Sequence, residues 1–358
     1  MSELSLPRED LDHVLAHTRD AWDELRGQRL FITGGTGFFG MWLLESFVWA
    51  NRQLGLEAQA TVLTRDPAQF AAQAPQLARE PSLCFCRGDV RDFAFPEGRF
   101  SHIIHAATPA KVELNRDEPL TMLDIIVGGT RRVLDFAVAC GATKLLLTSS
   151  GAIYGRQPPN VTHVAEEYAG GPETTDAGAA YGEGKRVAEL LSTLYARQFG
   201  LQAKIARCFA FVGPYLPLDR QYAVGNFLRD ALAGGPIRVQ GDGTPYRSYL
   251  YAADLAIWLW TVFFRGESCR PYNIGSDEGV TIDQLARCIA QSAGGEVAVN
   301  VLEKPASNRI PSRYVPKVSR AREELGLAVW IALPEAVRRS VEFLRKQPFT
   351  GVSPATSA

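Results

Sequence analysis

The sequence predicts an α/β fold: a doubly wound parallel sheet with a smaller C-terminal substrate-binding lobe. Three observations predict it. Short apolar stretches alternate with helical ones between Arg29 and Ala206. The apolar stretches are oily on both faces, Leu145-Leu146-Leu147 above all, as strands buried between two layers of helices must be. A glycine-rich turn, Gly34-Gly35-Thr36-Gly37-Phe38-Phe39-Gly40, joins the first strand of the series to its first helix.

Residues 8–26 form a charged helix ahead of the main fold, with Leu11, Val14, Leu15 and Trp22 as its packing stripe. Residues 29–33 are the first strand. Phe39, Trp42, Leu43 and Phe47 follow at helical spacing. Strands are expected at 58–64, 83–86 and 101–105, with a helix over 67–77 between the first two. A long helix over 120–140 is stopped by Gly141, and 144–148 is the fifth strand. Another long helix opens at Tyr181 and ends near Gly200, ahead of a sixth strand at 203–206. Beyond Phe209 the pattern loosens at Pro214, Pro217 and Gly234-Gly235-Pro236. The expected division is a dinucleotide-binding domain over 1–207, rejoined by 247–273, and a lobe made of 208–246 and 274–348. The tail 349–358, rich in Ser, Thr, Ala and Pro, is expected to be disordered.

The 358 residues suffice for a full-sized core. Lys+Arg numbers 38 and Asp+Glu 39, so the basic excess that a nucleic-acid or acidic-membrane partner calls for is missing. The six cysteines form no C-x-x-C pair, which argues against zinc, and Cys84 and Cys86 are taken as buried, small apolar side chains. Residues 1–7 have no apolar signal core. The longest oily stretch, 255–264, falls short of the roughly 20 residues that span a bilayer, so a cytoplasmic protein is expected.

Gly34, Gly37 and Gly40 stand three residues apart between strand and helix. Glycine there lets the chain turn sharply and lets a pyrophosphate approach the backbone. The helix N-terminus then offers free N–H groups and partial positive charge, with Thr36, Phe38 and Phe39 on the same turn. The second strand ends in Thr64-Arg65-Asp66. Asp66 suits the ribose hydroxyl of NAD, and Arg65 suits the 2′-phosphate of NADP, so both cofactors stay open. Asp89-Val90 follows the third strand, where an acidic side chain can meet the adenine amine. Ala106-Ala107-Thr108 follows the fourth, with small residues where the cofactor backbone lies.

Tyr181 and Lys185 are one helical turn apart. A phenol with an ordinary pKa near ~10 is a poor base at neutral pH, and a neighbouring ammonium stabilises its ionised form. Tyr181 can then take a proton from a sugar hydroxyl as hydride leaves, while Lys185 can hold the nicotinamide ribose.

With these motifs in their order, the chain resembles an extended short-chain dehydrogenase/reductase of the NAD-dependent epimerase/dehydratase group acting on nucleotide sugars. The matching residues are the Gly34/Gly37/Gly40 turn, Asp89-Val90, His105-Ala106-Ala107, Ser149-Ser150-Gly151-Ala152-Ile153-Tyr154-Gly155, Tyr181/Lys185, Arg207-Cys208-Phe209 and Gly213-Pro214. The resemblance runs from about Arg29 to Leu344. It implies a Rossmann-type sheet, bound NAD or NADP, a nucleotide-diphosphate sugar as substrate, and a homodimer formed through the helices around 120–140 and 181–199. It also implies that Ser150 bonds the sugar hydroxyl being oxidised. Asn226 matches a position that bonds the diphosphate and Arg247 one that faces the phosphates, and Arg313-Tyr314, ahead of the final helices, can close over the nucleotide. Lys111 is placed with the substrate contacts.

Departures from the family pattern sort the reactions. Relatives resembling dTDP-glucose 4,6-dehydratase carry Asp and Glu after the Ser/Thr, and UDP-glucuronate decarboxylases keep the Glu. Gly151 and Ala152 stand there instead, which favours a 4-epimerase, whose oxidation and return of hydride at carbon 4 need no acid at those positions. Thr108-Pro109-Ala110, however, is similar to the decarboxylase group, and Ala210 stands where the family often has Asn. Glu166, Glu167 and Glu173 are the carboxylates that another loop could bring, and are read as solvated loop charges. The alternatives are a dehydratase or decarboxylase of the same fold, an NADPH-dependent 4-ketoreductase supported by Arg65, and a non-catalytic dinucleotide sensor, which the intact Tyr181 and Lys185 oppose.

Overall fold

The computed structural model describes residues 4–109, 112–218, 222–294, 297–305 and 310–346. Its first half runs α1 (Arg8–Thr18), β1 (Arg29–Thr33), α2 (Phe38–Leu54), β2 (Gln59–Thr64), α3 (Pro67–Gln73), α4 (Pro75–Ala78), β3 (Leu83–Arg87), β4 (His102–His105), α5 (Val112–Asp117), α6 (Pro119–Cys140), β5 (Lys144–Ser150), α7 (Ala180–Phe199) and β6 (Gln202–Cys208). The second half runs β7 (Phe211–Val212), α8 (Ala223–Leu232), β8 (Ile237–Val239), β9 (Tyr246–Arg247), β10 (Leu250–Tyr251), α9 (Ala252–Arg265), β11 (Pro271–Ile274), β12 (Val280–Thr281), α10 (Ile282–Ser292), β13 (Val299–Val301), β14 (Arg313–Tyr314), α11 (Ser319–Leu325) and α12 (Leu333–Lys346).

Seven strands form one parallel sheet in the order β11-β6-β5-β4-β1-β2-β3. The order reverses between β1 and β4, which opens a crevice at the carboxyl ends of those strands, where doubly wound sheets hold their ligands. Two apolar layers sandwich the sheet. One joins α2, α9 and α12 through Trp42, Phe47, Trp258 and Trp260; the other joins α6 and α7 through Phe31, Phe93, Phe136 and Tyr195.

The segment before β1 is built into this core. Leu11, Val14, Leu15 and Trp22 are buried as the helical stripe requires, although the helix stops at Thr18 and tightens into a 3₁₀ turn over Arg19–Leu25. Buried Asp10 accepts hydrogen bonds from Tyr251 Oη (2.7 Å) and from Arg339 Nη1 (2.6 Å) of α12, so the extension ties the first helix to the last.

Three expectations need correction. The helix expected over 67–77 is two short helices, because Pro75 cannot donate to the ladder and starts a new first turn. A seventh strand, β11, went unread because Pro271-Tyr272-Asn273-Ile274 is four residues long and opens on proline at the sheet edge. Cys84 is exposed and Cys86 half-buried, because β3 is the opposite edge strand and that face is only partly covered; among the six cysteines only Cys140 and Cys208 are buried. No helix among the described residues is long and apolar enough to cross a membrane. Leu120, Val138, Leu190, Leu194 and Phe199 stand exposed on α6 and α7. The tail 349–358 lies outside the described residues.

Candidate active site

The glycine turn is packed against the neighbouring strand end. Gly34 has φ +73°, and a Cβ on it would stand 2.4 Å from the Ala106 carbonyl carbon and 2.6 Å from Ala107 N. A Cβ on Gly40 would stand 2.3 Å from Gly34 O. Backbone therefore touches backbone here, and only hydrogen fits. Gly37 is the N-cap of α2, and no side chain caps the helix, so its first-turn N–H groups face the turn. Phe38 and Phe39 lean back into the core, Phe39 edge-on to Phe211 at 5.1 Å, which leaves the turn's rim to backbone and to exposed Thr36.

The other groups expected at the cofactor lie at the neighbouring strand ends. Ala106 N donates to Thr33 O (3.1 Å), fixing the small-residue floor that ends β4. Thr64 is buried at the end of β2, while Arg65 is exposed at its tip. Asp66 Oδ1 accepts the Gln69 N–H (2.9 Å) and caps α3, which occupies one of its oxygens. Asp89 is held by Arg91 (Nε–Oδ1 2.8 Å), and that guanidinium keeps its carboxyl below the ordinary range. Val90 packs against Gly129 of α6. The cradle fits an extended dinucleotide: a side-chain-free turn, uncapped helix amides and a floor of alanines.

Beneath the floor His105 is wholly buried, bonded to Thr33 Oγ1 (Nδ1, 2.7 Å) and Thr130 Oγ1 (Nε2, 3.0 Å). Burial, with the Lys185 charge added, drops its pKa to about 3. Its folded pKa lies below the unfolded one. The unfolded chain therefore gains a proton that the folded one refuses as pH falls through about 6.5, at a cost of about 1.4 kcal/mol per pH unit. His105→Gln is expected to lose melting temperature less steeply than the parent between about pH 6 and about pH 4. Equal slopes in thermal melts would remove this role.

The second cluster stands at the ends of β5 and β6. Strand β5 runs two residues past its expected end, which puts Ser150 at its tip, in register with Cys208. Tyr181 sits in the first turn of α7, and its N–H donates to Asn115 Oδ1 (3.0 Å) of α5. Asn115 Nδ2 in turn donates to Gly178 O (2.9 Å), so this one amide fixes the start of α7. Glu189, two turns along α7, accepts from Ser149 Oγ (2.5 Å) and pairs with Arg207 of β6 (2.8 Å), which locks the helix to both strands.

Tyr181 is half-buried, and desolvation of its phenol pushes the pKa up to about 12; the Ser150 hydroxyl, within hydrogen-bonding reach, opposes that rise. Lys185 Nζ donates to Thr108 Oγ1 and to Thr148 O, each at 2.7 Å, and burial lowers its pKa to about 8. The ammonium lies 6.0 Å from the Tyr181 ring centre. It thus sits under the strand ends rather than on the phenol oxygen, and the group that meets the phenol in this state is Ser150. Cys208 and Tyr222 also face the phenol.

One member of the cluster was expected to close over the nucleotide instead. Tyr314 of β14 is half-buried with its ring against Phe209 (ring centres 4.7 Å apart), and its hydroxyl shares Ser150 with Tyr181. A Cβ on Gly151 would stand 2.7 Å from Tyr314 Oη and from two Phe209 ring atoms. Asn115 and Tyr222 were not among the expected site residues. No local spacing marks any of the three, since each arrives from a segment remote from Tyr181 in sequence.

On the substrate side, Asn226 in the first turn of α8 lines a cavity of about 630 Å³ with Arg229, Arg238, Pro245 and Ser312. Pro245 and Ser312 lead directly into β9 and β14, which pair in parallel with Arg313 opposite Tyr246 and Tyr314 opposite Arg247. Arg313 stacks 4.0 Å over Tyr246, and Arg247 Nη1 donates to Tyr246 O (2.8 Å). Arg247 also bears on the Tyr314 phenol. Lys111 lies outside the described residues.

The loop carboxylates are engaged elsewhere. Glu166 is not a solvated charge: it is buried, its carboxylate accepts Asn273 N (2.9 Å), and burial raises its pKa. Glu167 pairs with Arg320, and Glu173 accepts from Thr175 (3.0 Å). No group of three or more His, Cys, Asp or Glu among the described residues is arranged to hold a metal ion.

A doubly wound sheet with a dinucleotide cradle at its switch point and a Ser–Tyr–Lys cluster beside it defines an NAD-dependent oxidoreductase-type enzyme of the extended short-chain class. The chain belongs to the NAD dependent epimerase/dehydratase family, whose model matches residues 30–275. It is 31% identical to UDP-glucuronic acid decarboxylase 6 of Arabidopsis thaliana over 312 residues, 86% of each chain. Its fold superposes on the UDP-glucose 4-epimerase of Thermus thermophilus solved with NAD (TM-score 0.74, 25% identity, 89% of this chain and 99% of that one). It also superposes on a dTDP-glucose 4,6-dehydratase of Streptomyces venezuelae with NAD bound (TM-score 0.76, 24% identity, 89% and 97%). The chain is therefore an enzyme of this nucleotide-sugar family with NAD as cofactor.

Proposed function

We propose that the chain oxidises a nucleotide-diphosphate sugar transiently at carbon 4 and returns the hydride to the same carbon with inversion, as a 4-epimerase. Bound NAD supplies the hydride acceptor, seated on the Gly34–Gly40 turn with its ribose at Lys185. Ser150 holds the sugar hydroxyl, and Tyr181 takes its proton and later gives one back. Lys185, as a buried cation, stabilises the ionised phenol. Asn226, Arg247 and Arg313 bind the diphosphate and nucleotide in and beside the cavity that opens at β9 and β14.

One observation carries the choice of reaction: the two residues after Ser150 bear no acid, and the room above Gly151 belongs to Tyr314 and Phe209. Elimination of water needs a group to protonate the leaving hydroxyl and another to take a carbon-bound proton. Of the loop carboxylates, Glu166 is buried on the Asn273 amide, and Glu167 and Glu173 are exposed, paired with Arg320 and Thr175. Decarboxylation is the second reading, favoured by the 31% identity to a UDP-glucuronic acid decarboxylase. A 4-ketone lies β to a uronic carboxyl group and can itself accept the electrons released with carbon dioxide.

A panel of UDP-, dTDP-, CDP- and GDP-sugars, followed by mass spectrometry and NMR, separates these. An unchanged mass with inverted carbon 4 is expected. Release of carbon dioxide from UDP-glucuronate selects the second reading, and release of water sinks both. We further propose a homodimer through the apolar faces of α6 and α7, where Leu190 and Leu194 are exposed. Sedimentation is expected to give twice the chain mass, and a monomeric Leu194→Glu variant; a monomeric parent contradicts it.

A further inference from the structure

Ser150 has more neighbours than it has protons. Its Oγ accepts the Ala152 N–H (3.1 Å), a donor that cannot turn round. One lone pair and one hydroxyl proton remain for two phenols, Tyr181 and Tyr314. If both phenols donated, the hydroxyl oxygen would be over-subscribed and its own proton stranded in a buried site. The satisfied arrangement has one phenol donating to Ser150 and the other accepting from it.

The surroundings decide which is which. Tyr314 is clamped: its ring lies on Phe209, β14 pairs with β9, Val315 N donates to Gln157 Oε1 (3.1 Å) and Val315 O accepts from Val164 N (2.9 Å). Its hydroxyl is thereby held over Gly151, the one residue type that leaves it room. Tyr181 faces Lys185 of its own helix, Cys208 of β6 and Tyr222 ahead of α8, and Arg247 of β9 faces Tyr314.

We propose that Tyr314 is a positioning residue: its hydroxyl donates to Ser150, which turns the Ser150 proton toward the Tyr181 oxygen. The relay runs Tyr314 to Ser150 to Tyr181 and presets Tyr181 as the acceptor before a sugar arrives. The inference deepens the proposed function and rests on Tyr181 being its base.

Tyr314→Phe keeps the ring and its stacking and deletes only the donor. In the NAD-loaded protein, the ionisation of Tyr181 is isolated by ultraviolet difference titration against the Tyr181→Phe background. It is expected to move up by about one pH unit in Tyr314→Phe. The acid limb of kcat/KM is expected to move with it, a loss of about ten-fold at neutral pH that is recovered at higher pH. Gly151→Ala, which pushes the Tyr314 hydroxyl aside without removing it, is expected to reproduce the shift. An unchanged titration in both variants overturns the proposal, as does a loss of turnover that is the same at every pH. If the parent turns over no nucleotide sugar, the proposed function fails, while the titration still decides the part played by Tyr314.

Discussion

Tyr181→Phe is expected to lower turnover by about 10³-fold while NAD stays bound with its parent affinity. The ring is half-buried at the start of α7 and its backbone N–H is held by Asn115, so removing one oxygen leaves the fold in place. What is lost is the phenol oxygen that meets Ser150 from the Lys185 helix; Tyr314, the other phenol at Ser150, comes from β14. Ser150 remains, but a serine hydroxyl without a basic neighbour does not take a proton from a sugar at neutral pH. Kinetics on the substrate found in the panel, with NAD titrated in parallel, checks both halves. Retained turnover would reassign the base; a parallel loss of NAD affinity would mean that the phenol serves the cofactor instead.

Gly34→Ala is expected to weaken NAD binding by at least ~100-fold. Two effects act together. The residue is in the left-handed region at φ +73°, and its Cβ would lie 2.4 Å from the Ala106 carbonyl. The strain alone costs about 1 kcal/mol, but the overlap is with backbone, so β4 and the turn must part and the cradle must widen. Gly27→Ala separates the two effects. Gly27 has φ +64° with nothing within 4 Å of a Cβ, and it precedes β1 at the opposite end of the sheet. That variant is expected to lose a little stability and no NAD affinity, measured by calorimetric titration and thermal melts. Equal losses in both would show that the close approach of Gly34 to Ala106 is irrelevant to the cofactor.

Much of the frame was legible because it rests on local rules. Alternating apolar strands and helical stretches mark the six strands from β1 to β6, and Gly141 ends α6 in a left-handed turn (φ 74°) as its position requires. The cradle was legible because strand, glycine turn and helix are contiguous. The rest depends on what lies across space. Strand β11 exists only because β6 offers it an edge. Cys84 is exposed because β3 has no outer neighbour, a fact about sheet order that its own segment does not carry. Glu166 looks like a loop charge until the Asn273 amide is placed against it. Arg313-Tyr314 was noted for the nucleotide, yet Tyr314 belongs beside Ser150, a placement that follows from the pairing of β14 with β9 and from the missing side chain of Gly151.

The same contrast explains the tension between likeness and chemistry. The 31% identity to the decarboxylase is counted over 312 residues, and the family model spans residues 30–275, so both are measures of the chain as a whole. The fate of a 4-keto sugar depends on very few side chains near its carbons 4 and 5. After Ser150 this chain has glycine and alanine, with the Tyr314 phenol over Gly151.

The most direct test follows a label. A nucleotide sugar carrying deuterium on carbon 4 is converted by the NAD-loaded enzyme in ordinary water, and the product is read by NMR. Deuterium retained at carbon 4 of an inverted product is the predicted result. Deuterium lost to water, or a product formed without the carbon 4 bond ever opening, contradicts the account.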